Sequence, residues 1–134
     1  MITLEKAKKA LEASEKKAEE LKIQVSTVIV DEHGSTIVMS RMDDALIISP
    51  DFAKAKAFTA ASLKMPTAGL LEYAAENKPY FGVNTLLGGE LTTIAGGIPA
   101  KKLGKIVGAV GVGGSVDPSQ DALCAQEAVA VLEA

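Results

Sequence analysis

Small or apolar residues recur at spacings of three and four at the start of the chain. Leu4, Ala7, Leu11, Ser14, Ala18 and Leu21 fall on one stripe, which predicts an amphipathic helix over residues 4–22. Thr3 is placed to cap it, and Glu5 with Lys9 and Glu12 with Lys16 stand at i,i+4 on the polar side. The periodicity then changes. Residues 24–30 are rich in Val, Ile and Thr and read as a strand, residues 31–34 as a turn, and residues 36–42 as the return strand of a hairpin. His33, the only histidine, falls at the hairpin tip and reads as a solvated turn residue.

A short apolar loop at residues 45–48 leads to Ser49-Pro50-Asp51, which has the order of N-cap, first helical position and acidic first turn. The helix it opens carries Ala53, Ala55, Ala57, Ala60 and Ala61, small enough for close packing on a sheet or a second subunit. Met65-Pro66 ends it, and Thr67 is placed to cap a third helix reaching about residue 76. Residues 77–89 read as an irregular segment of a length that is often functional. Three further strands are expected: residues 91–95, a short one at 98–101, and one from 105 into the glycines at 113–114. Asp117, Pro118 and Gln120 then match a capping box and open a last helix that runs to residue 134. The element order is αββααβββα. It predicts an α+β fold, one domain over residues 1–134, with an antiparallel sheet covered on both faces.

The glycines of Gly108-Ala109-Val110-Gly111-Val112-Gly113-Gly114 leave one strand face nearly bare, so another backbone or a ligand can approach it. Positive φ at Gly113-Gly114 and free N–H groups at the next helix start would suit an anion; a purely structural turn accounts for the same residues.

Composition narrows the function classes. The 134 residues are 48% hydrophobic and 23% charged, with a net charge of −3 and no tryptophan. No basic patch interleaved with aromatics is present, so nucleic acid is not an expected partner. One cysteine, Cys124, forms no internal disulfide and no metal-type spacing, so no metal is expected. No run is long and apolar enough for a membrane span, and no signal peptide is visible. The expectation is a soluble, cytoplasmic protein.

Val28-Ile29-Val30-Asp31 with Gly34, then Arg41-Met42-Asp43, then Ala53-Lys54-Ala55-Lys56-Ala57 with Thr59-Ala60, resemble the GlcG/HbpS-type haem-binding family, also described as haem-degrading or DUF336-like. The likeness continues through Gly96-Gly97-Ile98-Pro99, the strand at 106–114, and Gln120-Asp121, in order over nearly the whole chain. It implies a profilin-like α/β/α fold around a five-stranded antiparallel sheet, and homo-oligomers that are often octamers. It also implies haem binding in several members, and company with glycolate or diol utilisation or with corrinoid adenosyltransferases.

Haem needs an axial ligand, usually His, Met, Cys or Tyr. The expected helices hold no histidine, and there is no Cys-x-x-Cys-His motif. Met39, Met42, Met65, Tyr73 and Tyr80 are the remaining candidates, each equally readable as a core or loop residue. Haem binding is therefore expected to be weak, at an oligomer surface, through apolar contact. A second reading is a binding protein or enzyme for a small anionic metabolite. There Arg41 would fork onto a carboxylate or phosphate, with Lys56 adding charge, Thr59 a hydroxyl, and Gly96, Gly97, Gly113 and Gly114 backbone N–H groups. Gln120 stands beside the last pair, and Asp43 and Asp121 would move protons; the same Arg41 and Asp43 would alternatively pair with each other or with Asp121 to tie loops down. A third reading is an oligomeric scaffold subunit. No nucleophile–base pair is recognisable, so catalysis is left open.

Overall fold

The computed structural model describes residues 1–134. Helix α1 (Leu4–Leu21) starts where the stripe predicts, with Thr3 Oγ1 accepting from the Lys6 N–H, and ends with Lys22 in the left-handed region. The Glu5–Lys9 ion pair forms at 3.5 Å. The hairpin follows as β1 (Ser26–Asp31) and β2 (Thr36–Arg41). Its turn is held by Asp31, whose carboxylate accepts from the His33 and Ser35 N–H groups. Helix α2 (Ser49–Leu63) and helix α3 (Thr67–Ala74) come next. A 3₁₀ segment (Val83–Gly88), β3 (Gly97–Lys102), β4 (Lys105–Gly113) and α4 (Pro118–Glu133) complete the chain.

The sheet is antiparallel with strand order β2-β1-β4-β3. It has four strands, not the five expected, and the order of regular elements is αββααββα. Residues 91–95 do not form a strand because their backbone has other partners. The Thr92 N–H donates to Thr59 Oγ1 and the Ile94 N–H to Thr92 Oγ1. The free side of β4 is already taken by β3.

Alternation along β1 and β4 separates two cores. On one face Val25, Ile29, Val110 and Val112 pack with Ala7, Ala10 and Ala18 of α1 and with Cys124, Ala125 and Ala128 of α4. On the other, Val28, Val30 and Ala109 pack with Ala53, Ala57, Ala60 and Ala61 of α2. The molecule is thus three layers, with α1 and α4 on one face and α2 on the other.

The bare strand face accommodates α2. A side chain at Gly111 would collide with the Ala53 carbonyl and the Ala57 amide, and one at Gly113 with Phe52 and the Ala53 amide. Small residues on both sides let the α2 backbone lie directly on the sheet, and Gly111 and Gly113 make that approach possible.

Three local expectations are corrected. Ser49 does not cap α2 with its side chain; its hydroxyl donates to the Leu46 carbonyl and accepts from Ser26. Thr67 likewise does not cap α3: Thr67 Oγ1 accepts from the Gly97 N–H and so ties α3 to β3. At α4, Asp117 caps by accepting from the Ser119 N–H, but Gln120 does not close a box. Its side chain accepts from Ser115 Oγ instead.

Candidate functional site

The expected site residues divide into a group the fold assembles and a pair it leaves apart. Helix α2 carries Lys56 on its sheet-facing side, and α4 carries Asp121 in its first turn. The two helices lie on opposite faces of the sheet, yet their side chains meet past the end of β4. Lys56 Nζ donates to Asp121 Oδ2 at 3.0 Å and to the Val112 carbonyl at 2.8 Å. Both residues are about 1% exposed. Asp121 Oδ1 accepts from the Ser115 N–H at 3.1 Å, which ties down the turn between β4 and α4. The pair therefore joins two layers and one loop.

Glycines make room for it. A side chain at Gly96 would strike Lys56 Nζ and the Val112 carbonyl, and one at Gly97 the Lys56 backbone and the Thr67 side chain. Gly114 has φ +133°, a value that suits glycine, and a side chain there would press on the Gln24 carbonyl and the Val25 backbone. Gly113 does not have positive φ; only Gly114 of that pair does. Gln120 is close through Ser115. Thr59, one turn along α2 from Lys56, is buried and holds the Thr92 N–H, so its hydroxyl serves the 91–95 segment.

Arg41 and Asp43 lie elsewhere. Arg41 ends the edge strand, pairs in register with Ser26, and is exposed; Asp43 follows in an exposed turn. Neither belongs to any of the four ion pairs of the chain, and Asp121 pairs with Lys56 rather than with Arg41 or Asp43.

Burial is the largest influence on both members of the pair. It lowers the Lys56 ammonium below the ordinary lysine value, against the attraction of Asp121. It raises the Asp121 carboxyl above the ordinary carboxylate value, against the attraction and hydrogen bond of Lys56. Cys124 is buried and its thiol is pushed up to about 12, mainly by desolvation, so it is not a nucleophile at neutral pH. The helix terminus offers little to an external anion: Asp121 holds the Ser115 amide and Asp117 the Ser119 amide. An entering anion would have to displace those carboxylates.

A small cleft of about 150 Å³ opens over the pair, walled by Leu46, Phe52, Ile94, Gly114, Ser115 and Pro118. Leu46, Phe52, Ile94 and Ser115 were not among the expected site residues. Of these, only Phe52 carried a signal, standing one helical turn before Lys56, and its ring centroid is 5.8 Å from Nζ. Beside the cleft, a groove of about 370 Å³ runs along the outer side of α2 past Ile48, Phe52, Leu91 and Ile94. Leu46, Ile47 and Ile48 are 55%, 86% and 50% exposed. No group of His, Cys, Asp and Glu side chains could hold a metal ion. No helix is long and apolar enough to cross a membrane.

Among possible haem ligands, Met42 packs against the α1/α4 core and Met65 against the Leu70, Val83 and Leu91 cluster. Met39, Tyr73 and Tyr80 are each about half exposed, and His33 is exposed beside Glu32.

Comparison with known proteins agrees with this architecture. The family described as haem degrading protein HbpS-like matches residues 2–130. An uncharacterised 15.0 kDa protein of the dhaT–dhaS intergenic region of Citrobacter freundii is 38% identical over 96% of this chain and 89% of its own length. The corrinoid adenosyltransferase PduO of Salmonella typhimurium is 36% identical over 90% of this chain, which spans only 35% of that protein. Protein GlcG of Escherichia coli K12 is 33% identical over 84% of this chain and 81% of its own length. Among solved structures, the Klebsiella pneumoniae protein ORFY superimposes with a TM-score of 0.94 at 34% identity, covering 98% of this chain and 90% of that one. A PduOC–haem complex superimposes with a TM-score of 0.91 at 31% identity, covering 96% and 93%. The extent of the match and the shared three-layer fold place this chain in the HbpS-like family, of the GlcG/HbpS type.

Proposed function

We propose that this protein binds haem or a related tetrapyrrole on the apolar surface formed by residues 46–48 and the groove along α2. The observation that carries the reading is the likeness over nearly the whole chain to PduOC, a protein solved as a haem complex. The surface fits the group in one respect: Ile47, Ile48, Leu46 and Ile94 offer exposed apolar area to a flat macrocycle. It fits less well in another, because the exposed ligand candidates are Met39, Tyr73, Tyr80 and a turn histidine. Burial of the macrocycle, rather than a strong bond to iron, is then the main source of affinity. When bound, the group would supply redox or oxygen chemistry; the chain's own residues contribute the apolar contact and exclude water from it.

The same apolar side chains favour association of subunits around the ligand, in a homo-oligomer. Haemin titration followed by absorbance tests the reading. The protein is expected to be colourless as isolated and to give a broad, weak Soret change. Burial of one isoleucine is worth about 1.5–3 kcal/mol, so Ile47→Glu should weaken binding roughly tenfold or more. No spectral change in the wild type, or equal binding by the variant, would defeat the proposal at this surface.

A further inference from the structure

Lys56 is unusual for a lysine in three respects that haem binding leaves unused. Its ammonium is buried, it lines a cleft, and its one counter-ion is a buried carboxylate that can hold a proton. Two of its three N–H groups are taken, by Val112 and Asp121, and the third has no acceptor. The absent side chain at Gly96 lets Nζ lie against the backbone at the floor of the cleft. We propose that Lys56 is a nucleophilic amine that forms a Schiff base with a small, uncharged aldehyde entering the cleft, with Asp121 as proton acceptor and donor.

The chemistry follows from the pair. Transfer of a proton from Nζ to Asp121 frees the amine lone pair and leaves a neutral carboxyl beside it. Burial favours the uncharged form of each partner and so lowers the cost of this transfer, against their mutual attraction. The lone pair attacks the aldehyde carbon, the C–N bond forms, and the π electrons move to oxygen, which takes the proton from Asp121. Asp121 then recovers a proton from nitrogen and delivers it to the hydroxyl. Water leaves, and the cationic imine remains beside the Asp121 carboxylate. Net charge is unchanged, and the water oxygen comes from the aldehyde. Desolvated lysines act in this way because the free amine, not the ammonium, is the nucleophile.

The walls set the substrate class. About 150 Å³ admits only a short chain. Leu46, Phe52, Ile94 and Pro118 are apolar, and Lys56, the cleft's cation, is already matched by Asp121. Arg41 does not reach the cleft, so a carboxylate on the aldehyde would meet no free counter-charge.

Wild-type, haem-free protein is incubated with acetaldehyde and sodium cyanoborohydride, which reduces the imine to a stable N-ethyl amine, and the lysines are compared by peptide mass spectrometry. Burial holds the Lys56 ammonium below the ordinary lysine value and so raises its free-amine fraction, and Lys56 should be ethylated ahead of the exposed lysines. Glyoxylate, a charged aldehyde, should label it at least about tenfold less than acetaldehyde, because its carboxylate is desolvated without a partner. Asp121→Asn, with its fold checked by circular dichroism, leaves more of Lys56 as free amine because the counter-charge is gone, yet removes the group that returns the proton to the hydroxyl, so Lys56 should lose its lead over the exposed lysines. Absence of label on Lys56, or labelling that tracks solvent exposure, would overturn the proposal; equal labelling by glyoxylate would overturn the substrate class. None of these outcomes depends on haem binding.

Discussion

At the scale of single residues, the Lys56–Asp121 pair dominates the energetics of the site. Removing one partner leaves the other buried without a counter-charge, which typically costs about 3–5 kcal/mol. Lys56→Met should therefore lower the urea midpoint sharply, whereas Lys56→Met with Asp121→Leu should recover most of the loss. The pH dependence has a definite sign. The folded state holds the Asp121 proton more tightly than the unfolded chain does, so that contribution is present at acid pH and fades as pH rises through the raised value. Lys56 lies below its ordinary value, so its contribution is present at alkaline pH and fades as pH falls through the lowered value. The ion pair is least favourable between those limits. Urea titrations at acid, neutral and alkaline pH should show the apolar double variant gaining most on the wild type near neutrality; a gain that is flat with pH would contradict a raised Asp121 and a lowered Lys56. Lys56 was legible as a site residue because of its place in Ala53-Lys54-Ala55-Lys56-Ala57. Asp121 was a candidate too, but its pairing with Lys56 was not legible, because the two lie 65 positions apart and only the layering brings them together. Arg41 carried the right chemistry for an anion but sits on the edge strand, a placement that residue type does not encode.

At the scale of elements, the contact between α2 and β4 is the most demanding. Gly111 faces the backbone of Ala53 and Ala57, which cannot swing aside as a side chain can. Overpacking usually costs about 1–3 kcal/mol and sometimes more, so Gly111→Ala should sit at or above the top of that range. Gly104 provides the contrast: its φ is +77° and a side chain there would meet nothing within 4 Å. Gly104→Ala should cost only about 1–2 kcal/mol, the strain of a left-handed conformation. Thermal melts of the two variants give the order, and a smaller loss for Gly111→Ala would mean that α2 can lift from the sheet. Both faces of the hairpin, α1 and the start of α4 were legible, since periodicity and cap residues are local signals. The stretch at 91–95 misled because its composition suits a strand while its hydrogen bonds go to Thr59 and Thr92. A strand needs an open partner edge, and no local pattern reveals that β4 has none to spare.

At the scale of the whole molecule, apolar area is left uncovered on the α2 side. Ile47 is 86% exposed, Phe81 67% and Leu87 65%, all in the connections that flank α2 and α3. Surfaces of this kind are usually covered by another chain or a ligand. A homo-oligomer larger than a dimer is expected, and multi-angle light scattering at micromolar concentration should report it; a monomer mass would refute that part of the account. Ile47→Glu, which places a charge in the uncovered area, should shift the distribution toward smaller species. The general architecture was readable from the order of patterned segments and the family likeness, and so was the apolar loop at 45–48, while its exposure was not, because that depends on what the rest of the fold fails to cover. The central claim is that tetrapyrrole binding rests on apolar contact rather than on a bond to iron. The direct measurement compares the dissociation constants of haemin and iron-free protoporphyrin IX by quenching of Tyr73 and Tyr80 fluorescence. If apolar contact dominates, the two constants should agree within about threefold, a difference under about 1 kcal/mol. Haemin binding more than about a hundredfold tighter would demand a strong axial ligand, and would contradict the account.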